Sequence, residues 1–102
     1  MPTSWLSAAR FLRRVYRDYP RSHRLHVLVR WMTCPFTRTV ADLPPGGRML
    51  EIGAGHGIYS YLASRDASRR VCAVEPDLRK SLQPRHAPGV RWIADSRANV
   101  WT

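Results

Sequence analysis

Three glycines at alternate positions, Gly53, Gly55 and Gly57, constrain this chain more than any other feature. They lie in the run Met49-Leu50-Glu51-Ile52-Gly53-Ala54-Gly55-His56-Gly57-Ile58-Tyr59-Ser60. It reads as a short apolar strand with an acid near its end, then a turn, then the start of a helix. Inside a strand or helix each glycine would cost roughly 0.5–1 kcal/mol relative to alanine. In a turn they permit backbone angles closed to other residues and let a ligand approach the main chain. The helix that follows directs free N–H groups and the positive end of its dipole at that turn. The pattern predicts a ligand cradle between a strand and a helix.

The rest of the chain sets bounds on that cradle. A length of 102 residues predicts one small domain at most. With 44% hydrophobic and 24% charged residues, the chain has enough apolar surface to fold. No apolar run approaches the roughly 18 residues of a membrane-spanning helix. Arginines interrupt the N-terminal apolar residues from Arg10 onward, which does not fit a secretory signal. A cytoplasmic protein is therefore expected. Cys34 and Cys72 lack a metal-ligand spacing and read as free thiols in a reducing compartment.

The net charge is +10, from 17 Lys and Arg against 7 Asp and Glu. Residues 1–42 hold eight of the arginines and two aspartates. Such a balance favours acidic partners, nucleic acid or anionic surfaces among them, although arginine-rich composition also arises without function.

Read in order, residues 4–17 form a helix with Ser4 as N-cap. Trp5, Ala8, Ala9, Leu12, Val15 and Tyr16 fall on one stripe, with Arg10, Arg13, Arg14 and Arg17 off it. Pro20 stops that helix. A second runs from Ser22 to about Thr33 with Leu25, Leu28, Val29 and Met32 as its inner face, and a short third from Phe36 to Asp42 follows Pro35. These basic helices have two readings: a cap packed on a core with its arginines in water, or a surface that recruits an acidic or amphiphilic substrate or lies at a membrane. His23 and His26 could share a helix face, but no third ligand follows at metal spacing.

Pro44-Pro45-Gly46-Gly47 marks a boundary, dividing a basic helical cap at residues 1–43 from residues 44–102. Strand one is Arg48 to Ile52, and a helix runs from about Gly57 to Ser64 with Tyr61 and Leu62 as packing residues. Arg65 to Arg70 reads as a loop. Strand two, Val71 to Val74, is a continuous apolar run suited to a strand covered on both faces. A short helix from Asp77 to Gln83 follows, then strand three, Val90 to Ile93. The fold class is α/β: the first half of a parallel, doubly wound sheet behind a helical segment.

The glycine spacing is selective. The dinucleotide fingerprint G-x-G-x-x-G would need glycine at Ile58, and the phosphate loop needs a Gly-Lys that is missing here. With Glu51, the run is E-x-G-x-G-x-G. It resembles motif I of the class I S-adenosylmethionine (SAM)-dependent methyltransferases. Glu75 closes strand two and Asp95 follows strand three, where that family places acids for the ribose hydroxyls and the adenine amino group.

The resemblance covers about Arg48 to Ser96 and implies a Rossmann-like domain that binds SAM through Glu51, Gly53, Ala54, Gly55, Gly57, Glu75, Pro76 and Asp95. In that reading turn and helix-start amides meet the SAM carboxylate. Glu51 holds the amino group through water. The two oxygens of Glu75 accept from the diol. Pro76 and Ile93 or Ala94 flank the adenine. His56 lies at a position where the family accepts many residue types, and Trp92 reads as a sheet-face packing residue.

The family's sheet has seven strands in the order 3-2-1-4-5-7-6, and this chain supplies three. The chain is therefore expected to be truncated after strand three, inactive alone, with an open edge on strand one and no nameable base. The acceptor is unidentified, with a small molecule favoured over nucleic acid and weak contact of the basic helices with anionic surfaces. Two alternatives stay open: a non-catalytic basic module engaging nucleic acid or a partner chain, and a dinucleotide domain with a degenerate turn.

Overall fold

The computed structural model describes residues 3–77 and 89–93. Seven elements follow one another: α1 (Thr3–Val15), α2 (Arg21–Thr33), α3 (Phe36–Ala41), β1 (Gly47–Ile52), α4 (Ile58–Ala63), β2 (Arg69–Val74) and β3 (Val90–Ile93). The fold is mixed α/β, with a three-stranded parallel sheet in the order β1-β2-β3. In the register, Glu51 lies beside Ala73 and Ile52 beside Val74. The expected helix from Asp77 to Gln83, Ala94 and Asp95 lie outside the described residues.

The elements form where local chemistry allows. Pro20 and Pro35 stand immediately before α2 and α3, where a missing N–H costs no helical hydrogen bond. In β2, Val71 to Val74 are all buried, as a central strand requires, while β1 keeps Leu50 and Ile52 largely open on the sheet edge. The strand also begins earlier than its apolar run. Arg69 and Arg70 pair with Gly47 and Arg48 and are not loop.

The core joins helices to sheet. Ala8, Leu12, Val15 and Tyr16 of the α1 stripe are buried against Tyr61, Leu62 and Ala63 of α4 and against Val71 and Ala73 of β2. Tyr61, fully buried, accepts a hydrogen bond at its hydroxyl from the Trp92 indole at 2.9 Å. Its ring stands edge-on to Tyr16 at 5.8 Å, and Tyr16 edge-on to Tyr19 at 5.0 Å. The helical segment and the sheet therefore share one core.

Two helix expectations need correction. The α-helical run of α1 ends at Val15, short of Arg17. In α2, Leu25, Leu28, Val29 and Met32 are at least half exposed, and Val27 and Trp31 are buried instead. Trp31 packs on Trp5 at 5.5 Å and lies parallel to Phe36 at 6.4 Å, and these partners set the rotation of the helix.

Arg69 pins the Pro44–Gly47 break to the sheet. Its guanidinium, 7% exposed, donates to the carbonyls of Ala63, Pro44 and Gly46 at 2.8, 2.7 and 3.3 Å. Asp66 assists by accepting from the Gly46 amide at 2.8 Å and from the Ser68 hydroxyl and amide. The Ser68 hydroxyl first, then these amides, hold the Asp66 carboxyl down at about 2. That stabilisation is present above the ordinary carboxylate range and is lost as pH falls through about 2. Arg69→Met keeps the apolar stem and removes the guanidinium from three carbonyls, of which Ala63 retains the Asp66 amide at 3.4 Å. It is expected to cost about 2–3 kcal/mol in urea denaturation.

Candidate functional site

The site lies at the carboxyl ends of the parallel strands, where β1 turns into α4. Gly53, Gly55 and Gly57 all take positive φ, of 70°, 62° and 82°. They differ in surroundings. A Cβ on Gly53 or Gly55 would meet nothing within 4 Å, whereas one on Gly57 would lie 2.6 Å from the Trp92 ring. Gly57 is thus required by packing as well as by angle. Gly53 and Gly55 face open space.

The turn is tied down by its own amides. Gly53 and Ala54 both donate to the Val74 carbonyl, at 2.8 and 3.1 Å, and Gly57 donates to Ala54 at 3.0 Å. Gly55 donates to Glu75 Oε1 at 2.6 Å. These four N–H groups therefore have acceptors within the chain and are not open to a ligand carboxylate in this arrangement. The amides of Ile58 and Tyr59, at the start of α4, have no backbone acceptor among the described residues.

Glu75 joins strand end to turn. Its amide donates to the Ile93 carbonyl of β3 at 3.0 Å, its Oε1 serves Gly55, and its Oε2 accepts from the Asp77 amide at 3.0 Å. The residue is only 8% exposed. Each carboxylate oxygen keeps a second lone pair for a further donor. Pro76 is exposed beside it.

Glu51 reaches α4 from the end of β1, accepting from the Ser60 hydroxyl at 2.6 Å. Burial raises its carboxyl above the ordinary 4.5, partly offset by the Ser60 hydrogen bonds and the Arg30 charge. For a raised acid, the stabilising contribution is complete below about 4.5 and is lost as pH rises through the higher folded value. Glu51→Gln keeps an acceptor for Ser60 without the buried charge. Its melting temperature by circular dichroism is expected above that of the native chain at pH 7, with the two converging near about pH 4.

His56 fastens the turn to the helices. Its Nε2 lies 3.0 Å from His23 Nδ1, its ring is 5.2 Å from His26, and its carbonyl accepts from the Tyr16 hydroxyl at 2.5 Å. Burial pushes the Tyr16 phenol well above its ordinary value, so it remains a donor across the working pH range. His23 and His26 do share a direction, toward His56. Among the described residues no group of three His, Cys, Asp or Glu is placed to hold a metal ion. Cys34 and Cys72 are free.

A cavity of about 200 Å³ opens over the turn, lined by Glu51, the turn residues and Glu75, and on the helical side by His26, Arg30, Phe36 and Tyr59. Of the anticipated residues, Glu51, Gly53, Ala54, Gly55, Gly57 and Glu75 converge here. Pro76 is not among the lining residues, and Asp95 lies outside the described ones. The helical wall was not anticipated: Arg30 and Phe36 lie far from the glycines in sequence, and only their placement on α2 and α3 brings them in. No family model matches the chain, and no curated protein or solved structure matches it.

Proposed function

We propose that residues 44–102 carry the methyl-donor site of a class I SAM-dependent methyltransferase with a Rossmann-like sheet. The observation that carries this reading is Glu75. An acid at the end of β2 lies against the glycine turn after β1, at the carboxyl ends of parallel strands where such sheets bind ligands. Gly53 and Gly55 leave space for a ligand over the main chain.

In this reading Glu75 receives the ribose diol on its remaining lone pairs, and the amides of Ile58 and Tyr59, which have no backbone acceptor among the described residues, meet the donor's carboxylate. Arg30, on the cavity wall, adds positive charge for the same group. The donor, when bound, supplies a methyl group already activated by its sulfonium. The chain's own part is to hold and orient it and to keep water out. A volume of 200 Å³ is below the roughly 300–1,000 Å³ of complete small-ligand sites, so the described residues enclose part of such a molecule.

The test is calorimetry with S-adenosylhomocysteine, SAM and NADH. Saturable binding of the first two with none of NADH is expected. A folded chain that binds neither adenosyl compound ends the proposal. Retention on DNA that falls steeply with salt, without adenosyl binding, would assign the chain as a basic nucleic-acid module.

A further inference from the structure

A second cavity, larger and separate from the glycine turn, runs between α1 and α2. It measures about 770 Å³, within the size range of small-molecule sites. Leu12, Tyr16, Val27 and Trp31 are its buried lining, and Trp5 and Leu28 its half-exposed walls. Three exposed arginines, Arg13, Arg17 and Arg24, complete the lining, and no acidic residue lines it.

The groove is polarised along its length. Trp5, near the start of α1, packs on Trp31, near the end of α2, so the two helices run in opposite directions. Arg17 follows the end of α1 and Arg24 lies in the first turn of α2, which places both at the opposite end from the tryptophan pair. Seven residues of helix separate Arg24 from Trp31, roughly 10 Å. One end therefore offers positive charge and the other an aromatic, apolar wall.

We propose that this groove binds a single-chain anionic amphiphile, a fatty acid in chemical class, with its carboxylate at Arg17 and Arg24 and its alkyl chain running toward Trp5 and Trp31. Charge complementarity selects the head group, and a groove between two helices, lined by buried Leu12, Val27 and Trp31, takes one chain where a flat lipid surface could not enter. The inference does not depend on the methyl-donor reading, and its test can succeed or fail independently.

The experiment titrates the full chain with decanoate, dodecanoate and tetradecanoate below their micelle thresholds. Calorimetry and tryptophan emission are followed, with 1-dodecanol and dodecyltrimethylammonium as neutral and cationic controls. One-to-one binding is expected, tightening about threefold to fourfold per added CH₂. The double variant R17Q/R24Q is expected to weaken dodecanoate roughly tenfold and to leave dodecanol unchanged. Leu28→Glu, at a half-exposed wall position, is expected to abolish binding of both with an unchanged circular dichroism spectrum. Equal binding of the cationic amphiphile, or the absence of chain-length dependence, would overturn the proposal. So would binding confined to phosphatidylglycerol vesicles, or dimerisation of the chain with no uptake of the monomeric probes.

Discussion

Replacing Gly57 by alanine is expected to cost the fold about 3 kcal/mol or more, a drop of at least about 10 °C in Tm. Two effects add. The left-handed angle, φ 82°, penalises any L-residue by roughly 1–2 kcal/mol. The new methyl would also lie 2.6 and 2.7 Å from two atoms of the Trp92 ring and 3.3 Å from Tyr61. Trp92 cannot swing aside freely, because its indole is hydrogen-bonded to the Tyr61 hydroxyl, and Tyr61 is the most deeply buried aromatic of the core. Gly53→Ala is the comparison. Its φ is similar, but its methyl meets nothing within 4 Å, so only the angular penalty applies. If the space over Gly53 is the donor cradle, that variant keeps its fold and loses adenosyl binding by tenfold or more. Thermal denaturation of the two variants side by side checks the first claim. Equal melting temperatures would show that Trp92 does not confine Gly57.

Glu75→Ala is expected to have the second large effect, and on two readouts. The carboxylate serves the Gly55 and Asp77 amides, and alanine would remove the acceptor each finds in it inside a mostly buried site. Hydrogen bonds to charged groups contribute about 1.5–3 kcal/mol each, so a loss near 3 kcal/mol of stability is expected. Under the proposed function the same change removes the diol acceptor and weakens S-adenosylhomocysteine tenfold to a hundredfold, about 1–3 kcal/mol. Glu75→Gln separates the contributions. Its single carbonyl oxygen can satisfy one amide while its NH₂ confronts the other, so its stability should fall between native and alanine. A chain that melts lower in this order but never binds an adenosyl compound would make Glu75 a strut of the turn alone.

The legible parts of this fold were those decided locally. The glycine turn could be read because positive φ at alternate positions is a demand that glycine meets and other residues resist. The α1 stripe could be read because Ala8, Leu12, Val15 and Tyr16 recur at helical spacing with arginines between them. The face of α2 could not. Its apolar residues run nearly around the helix, and the choice of Val27 and Trp31 over Leu25 and Val29 is made by Trp5 of α1 and Phe36 of α3, residues of other helices. The same holds for the site. Glu51 and Glu75 announced themselves as strand-end acids. The pairing of His56 with His23 spans 33 residues and leaves no local signal, and neither does the approach of Arg30 and Phe36 to the cavity wall. Even the acids carried more than their positions told: the oxygens of Glu75 are already engaged by backbone amides, a commitment visible only once β2 and the turn are side by side.

The aromatic row through the core has an optical consequence. Tyr19, Tyr16, Tyr61 and Trp92 follow one another at ring separations of 5.0, 5.8 and 5.9 Å. At such distances light absorbed by a tyrosine passes to its neighbours and then to the indole before it can be emitted. The folded chain therefore keeps these three tyrosines dark and glows as tryptophan. Trp5 and Trp31 line the same groove as Tyr16, so tyrosine emission returns only when the helices as well as the sheet come apart, and a single spectrum follows the loss of the whole core.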